Sequence, residues 1–295
     1  MYRRMLVPLD GSELSEVVFP YARELAGGLG LDVVLLHVHS PAARGTRHVY
    51  QAYVKYQTEE MKRQLAAVVK RIGVSDEGKK LAVRGEVVEG YPAEEILRYA
   101  DEKEIDFILM ATHGYSGVKR WALGSVAEKV LHVSKVPIWL VRASVPEQTT
   151  ADTWSSRMIL VPLDGSELAE GVLPHAEIIA KQRGAELIEI VLLRVIEPPI
   201  TADHYFRNVP LTKEEVCQYL DKIEQRLKHA GLKVRSEILE GDAAEQIISY
   251  AGKNPSNLIV MSTHARSGIG RWFYGSVTAT VLHRASSPIF LVRPD

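Results

Sequence analysis

The chain has 295 residues, of which 46% are hydrophobic and 25% charged, with 14 prolines, a composition that excludes a fibrous or disordered polymer and suits two globular domains. Thirty-six basic against 37 acidic residues leave no global field to gather nucleic acid or an anionic membrane. Cys217 is the single cysteine, which rules out an intrachain disulfide and any four-cysteine zinc site. No run of about 18 uncharged apolar residues is present. The motif that starts at Arg4 leaves no room for a signal peptide, so the expected location is the cytoplasm.

In chain order, Arg4–Leu9 reads as a short apolar strand, followed by a helix over about 13–28. Its apolar residues Leu14, Val17, Val18, Tyr21, Ala22 and Leu25 fall at spacings of three and four. Pro20 lies inside that helix and is expected to bend it or to set its first turn apart. Leu31–Val38 is a second strand whose near-continuous apolar run suits a sheet covered on both faces. A long amphipathic helix over 50–71, a strand over 82–88, a helix over 93–103 opened by Gly90-Tyr91-Pro92, a buried strand over 107–110, a helix over 121–132 and a strand over 138–141 complete the unit.

The sequence then repeats itself. Val7-Pro8-Leu-Asp10-Gly11-Ser12-Glu-Leu14 recurs letter for letter as Val161–Leu168, and Gly124-Ser125-Val126 recurs as Gly275-Ser276-Val277. Pro20 answers Pro174, Gly90 answers Gly241, and Val141-Arg142 answers Val292-Arg293. Second-half strands are expected near 158–163, 187–195, 233–239, 258–261 and 289–292, and helices near 168–183, 213–230, 243–251 and 273–284. The boundaries read as a first domain 1–143, a small-polar linker 144–156 and a second domain 157–295. Each is an α/β, Rossmann-like, doubly wound domain with a five-stranded parallel sheet. The proline-bracketed loop 197–210 reads either as a lid or as a plain connection.

Parallel open sheets bind small anions at the carboxyl ends of their strands, where helix N-termini point free amides into the crevice. Asp10-Gly11-Ser12 follows the first strand. Ala111-Thr-His113-Gly114-Tyr-Ser-Gly117 follows the fourth, and Gly124-Ser125 opens the next helix. Glycines let backbone amides approach an oxygen, and Ser125 adds a hydroxyl, which is chemistry for phosphate. Equally, the glycines can serve a tight turn and Ser125 a helix cap. No Walker loop and no dinucleotide fingerprint is present. His113 and its counterpart His264 read as loop-ordering residues rather than proton carriers, and His37, His39 and His48 form no metal-ligand pattern.

Ala111-x-x-Gly114, nine residues, then Gly124-Ser125, paired with Val-Pro-Leu-Asp-Gly-Ser at strand one, resembles the universal stress protein family, and the resemblance covers both halves. It implies a strand order of 3-2-1-4-5 and, in one branch, ATP binding through Gly-x-x-Gly, nine residues, Gly-Ser/Thr. It places Ala111 at the first glycine, Gly114 at the second, and Gly124 and Ser125 at the last pair. Asp10 would lie by the ribose and Val38 against adenine, and Pro8, Gly11, Ser12, His113, Gly117 and Val126 complete the implied binding set. In the second half Asp164 is intact, while Ser262 and Ala265 replace the two glycines; His264, Gly268, Gly275, Ser276 and Val277 fill the remaining positions. A methyl group at Ala265 crowds a phosphate and disfavours a left-handed backbone. The first half is therefore expected to be the better site.

The implied function is an ATP-binding, nucleotide-dependent stress-response or regulatory module, with magnesium arriving on the nucleotide and coordinated by phosphate oxygens and Asp10 or Asp164. Slow ATP hydrolysis and a nucleotide-independent interaction scaffold are the alternatives, and whether the chain is an enzyme stays open. The resemblance also implies intrachain pairing through the final edge strands, Val136–Val141 and Ser287–Val292, which would cover two apolar edges. A homodimer is the further assembly expected; no nucleic-acid or membrane partner is.

Overall fold

The computed structural model describes residues 1–72, 81–112, 123–142, 158–198, 212–253, 258–263 and 275–293. The predicted linker, the 197–210 loop beyond residue 198, and His113, Gly114, Gly117, His264, Ala265 and Gly268 lie outside these described residues. The described residues up to 142, together with 288–293, form one compact unit, and those from 158 to 287 form the other.

The first half runs β1 (Arg4–Leu9), α1 (Glu13–Glu16), α2 (Phe19–Leu29), β2 (Asp32–His39), a 3-10 turn (Pro41–Thr46), α3 (Arg47–Ile72), β3 (Val83–Glu89), α4 (Pro92–Glu102), β4 (Phe107–Ala111), α5 (Ser125–Val133) and β5 (Ile138–Val141). The second half runs β6 (Met158–Pro162), α6 (Glu167–Glu170), α7 (Leu173–Arg183), β7 (Glu189–Ile196), α8 (Lys213–His229), β8 (Lys233–Glu240), α9 (Ala243–Lys253), β9 (Leu258–Ser262), α10 (Ser276–Arg284) and β10 (Ile289–Val292). Each half has the strand order 3-2-1-4-5, and the registers between β1, β2, β3, β4 and β5, and between β6, β7, β8 and β9, are parallel.

Burial explains the strand composition. All five residues of β4 and of β9 are buried, and six of the eight in β2, because helices cover both faces of a parallel sheet and no strand face is left for polar side chains. The single helix expected over 13–28 is two helices. Glu13–Glu16 ends at Val17, and α2 restarts at Phe19 with Pro20 in its first turn. There the missing proline N–H removes no helix bond. Pro174 sits identically at the start of α7. The helices expected from Trp121 and Phe273 begin instead at Ser125 and Ser276, after Gly124 and Gly275 in extended conformation.

The pairing expected between the two final strands is present: β10 runs antiparallel to β5, with Ile289 opposite Leu140, Phe290 opposite Trp139 and Leu291 opposite Ile138. Phe290 is fully buried there among Tyr2, Phe107 and Trp139. Its ring meets theirs edge-on at centroid distances of 6.0, 5.9 and 5.5 Å. This geometry sets ring edges against ring faces, each such pair contributing about 0.5–1.5 kcal/mol beyond its buried area.

The repeated Asp-Gly-Ser turn is the device that leads each first strand into its helix. Gly11 and Gly165 adopt φ of 84° and 85°, with nothing within 4 Å of the place a Cβ would occupy. An alanine at either position meets no clash and feels only the left-handed backbone penalty. Gly11→Ala is expected to lower unfolding stability by about 1 kcal/mol in equilibrium urea denaturation, and Gly11→Asn by less, since asparagine tolerates this conformation.

Candidate functional site

In a 3-2-1-4-5 sheet the crossovers leaving β1 and β4 pass to opposite faces, which opens a crevice at their carboxyl ends. Here the β1–β4 ladder comprises Met5 opposite Phe107 and Leu6 opposite Ile108, whereas β1 stays paired to β2 as far as Leu9 opposite His37. Pro8, which has no N–H to donate, therefore sits in a central strand without breaking a ladder bond on the β4 side. The parting strands enclose a cavity of about 220 Å³.

Its walls come from six elements, Ser15 of α1 among them. Pro8, Leu9 and Asp10 line it from the end of β1, Met110, Ala111 and Thr112 from the end of β4, and Gly124 to Ala127 from the start of α5. Leu36 and Val38 of β2 and Pro92 and Ile96 of α4 supply an apolar side. The predicted residues Pro8, Asp10, Val38, Ala111, Gly124, Ser125 and Val126 are thus brought together; Gly11 and Ser12 lie in the adjoining turn. Leu9, Ser15, Leu36, Pro92, Ile96, Met110, Thr112 and Ala127 were missed by motif reasoning. For Ile96 a signal existed: it belongs to the buried stripe Ala93, Ile96, Tyr99 and Ala100 of α4, and its turn of helix follows Gly90-Tyr-Pro.

Two local structures give the cavity its polarity. Asp10 Oδ1 accepts hydrogen bonds from Ser12 N at 2.9 Å and Ser12 Oγ at 2.6 Å. Ser12 Oγ in turn accepts from Ser15 N at 3.2 Å and caps α1. One oxygen of Asp10 is therefore committed to the turn. At the opposite wall, Gly124 caps α5 with no side-chain hydrogen bond, and Gly124 N donates to Thr112 O at 2.8 Å, tying the helix start to the end of β4. Ser125 is the first helical residue and not the cap. The first-turn amides of a helix have no intrahelical acceptor, so they face the crevice as donors with the positive end of the helix dipole behind them.

The second half repeats the arrangement. Asp164 Oδ1 accepts from Ser166 N and Oγ at 2.9 and 2.6 Å, and a cavity of about 190 Å³ is lined by Pro162, Asp164, Val195, Ser262, Gly275, Ser276 and Val277 among others. At this helix start Thr278 Oγ1 donates to Ser262 O at 3.3 Å, a bond that the corresponding Ala127 has no hydroxyl to make. Among the described residues no three His, Cys, Asp or Glu side chains are grouped to hold a metal, and no described helix is long and apolar enough to cross a membrane.

His37 and His39 share one face of β2, as residues two apart on a strand do. Tyr50 stacks on His37 at 4.1 Å and lies over His39 at 6.2 Å. His37 is 3% exposed, and its Nδ1 donates to Leu9 O at 3.0 Å, which fixes the tautomer. Burial pushes its pKa below the ordinary 6.5, with His39 pushing the same way against the Leu9 carbonyl and Asp10. Because the unfolded chain takes up this proton more readily, the contribution of His37 to stability is complete above pH 6.5 and is lost as pH falls toward the lowered folded value. An NMR titration is expected to give His37 a midpoint below 6.5, and the stability difference between wild type and His37→Gln to shrink as pH drops from about 7.5 to 5.5.

Comparison with known proteins agrees with this architecture. The model of the universal stress protein family matches residues 1–142 and 156–293. A universal stress protein of Methanocaldococcus jannaschii is 32% identical over 139 residues, covering 46% of this chain and 82% of that protein. One of Mycolicibacterium smegmatis is 24% identical over 295 residues, covering 98% and 97%. The crystal structure of a universal stress protein from Archaeoglobus fulgidus has the same fold, with a TM-score of 0.70 at 22% identity over 99% of this chain and 98% of that one. The family match therefore spans both copies of the repeat, and the chain belongs to the universal stress protein family.

Proposed function

We propose that the first-half cavity is an adenine-nucleotide site, with ATP as its ligand, and that the protein acts as a nucleotide-dependent regulatory module of the stress response. The observation that carries this reading is the polarity of the cavity. One side, Leu36, Val38, Ile96 and Met110, is apolar; the other ends at the uncapped start of α5, with Asp10 between the strands. A nucleotide has the same division, a flat base at one end and phosphates at the other. Burying the base against Leu36 and Val38 removes apolar area from water, at about 25 cal/mol per Å². The amides of Ser125 and Val126 donate to phosphate oxygens, where the helix dipole favours negative charge.

Asp10 accepts from the ribose. Its carboxylate remains anchored through Oδ1 by Ser12, so it is oriented before the ligand arrives. Magnesium carried on a nucleotide would neutralise phosphate charge, and Asp10, in the described cavity wall, is the carboxylate that would help hold it. Ala111 in place of glycine adds one methyl group at the end of β4, within the lining of the cavity.

Ser125 is exposed and opens α5, so a glutamate there suits the helix while opposing phosphate at the same point. In calorimetric titration of nucleotide-free protein, ATP is expected to bind the wild type. Ser125→Glu should bind it at least tenfold more weakly, about 1.4 kcal/mol, with unchanged circular dichroism. Equal affinity in the variant, or no ATP binding by the wild type, overturns the reading.

A further inference from the structure

The two cavities differ at one strand position that the motifs do not include. In the first half the residue opposite Leu9, the last of β1, is His37. In the second half Pro162 pairs with Leu193, and the residue that follows Leu193 in this register is Arg194. Both side chains reach the Leu carbonyl where the first strand gives way to the turn: His37 Nδ1 lies 3.0 Å from Leu9 O, and Arg194 Nη1 donates to Leu163 O at 3.2 Å.

There the likeness ends. His37 is buried under Tyr50 and does not contribute to the described lining of the first cavity, in which Asp10 is the only charged residue. Arg194 lines the second cavity, beside Asp164. Its Nε is buried and has no hydrogen-bond partner among the described residues. A guanidinium carries a fixed charge and a planar set of donors that matches two oxygens of a carboxylate or phosphate. Nη1 is engaged by Leu163 O, and a guanidinium in a cavity wall carries further donors for an acceptor there. The hydroxyls of Ser262 and Ser276 line the same space.

We propose that the second-half cavity is an anion site, in which Arg194 holds the phosphate or carboxylate group of a small molecule, so that the duplicated chain carries two sites of different ligand chemistry. This inference stands independently of nucleotide binding in the first half. The described lining holds one charge of each sign, Asp164 and Arg194; Asp164 Oδ1 is turned onto Ser166, and the anion is held on the arginine side.

The test uses the full chain carrying Ser125→Glu, which removes the first-half phosphate position, and titrates inorganic phosphate, succinate and AMP separately by calorimetry at fixed ionic strength. Saturable binding of at least one probe is expected, weakened tenfold or more by Arg194→Gln and less by Arg194→Lys. The responding probe tells free phosphate, carboxylate and nucleotide phosphate apart. Arg194→His, which installs the first-half residue, replaces the glutamine variant if circular dichroism shows that the latter does not fold. Binding by none of the three probes, or equal binding with and without Arg194, overturns the proposal. Failure of ATP to bind the wild type while Arg194-dependent anion binding persists overturns the nucleotide reading alone.

Discussion

The architecture of each half depends on the parting of two parallel neighbours. β1 and β4 share a register only at Met5–Phe107 and Leu6–Ile108; beyond it their chains leave toward opposite faces of the sheet. Backbone groups past that point cannot satisfy each other across the gap, so they need other partners, and the structure supplies them locally. Thr112 N donates to Val141 O at 2.9 Å, and Thr112 O accepts from Gly124 N. Asp10 turns back on Ser12. The requirement that polar backbone be satisfied thus draws the start of α5 and the Asp-Gly-Ser turn to the same crevice.

The same constraint accounts for residues that look ill suited to their elements. Proline is normally excluded from central strands, yet Pro8 is tolerated because the ladder on the β4 side has already ended. Pro20 and Pro174 are tolerated because each helical run is broken two residues earlier and restarts around the proline. Gly11 and Gly165 take the left-handed conformation that reverses the chain between strand and helix. These positions recur in both halves because the geometry that demands them recurs.

Duplication has preserved that geometry while letting the walls diverge. The turn hydrogen bonds of Asp10 and Asp164 agree to within 0.1 Å. At the helix start Thr278 adds a side-chain bond that Ala127 cannot make, and a neutral, stacked histidine stands where the other half has an arginine. A wall position away from the hydrogen-bonded frame can change its side chain without altering the fold, so the charge of the cavity is free to vary between copies that share a backbone.

The sequence by itself determined the duplication, the alternation of strands and helices, and the pairing of Asp-Gly-Ser with the Gly-Ser helix start, because each leaves a local signature: an exact repeat, an apolar period, a turn composition. Strand order and the family were legible through the spacing of Ala111, Gly114, Gly124 and Ser125. Helix starts were not, since the apolar period near Trp121 and Phe273 continues through residues that precede the glycine caps. Only the tertiary structure decided which residues wall the cavities. Leu36, Pro92 and Ile96 come from elements far apart in the chain, and the exchange of His37 for Arg194 becomes visible only when the register of each second strand against its first is known. A side chain's role in these walls depends on which strand ends beside it, and that is set by long-range pairing, which local spacing does not encode.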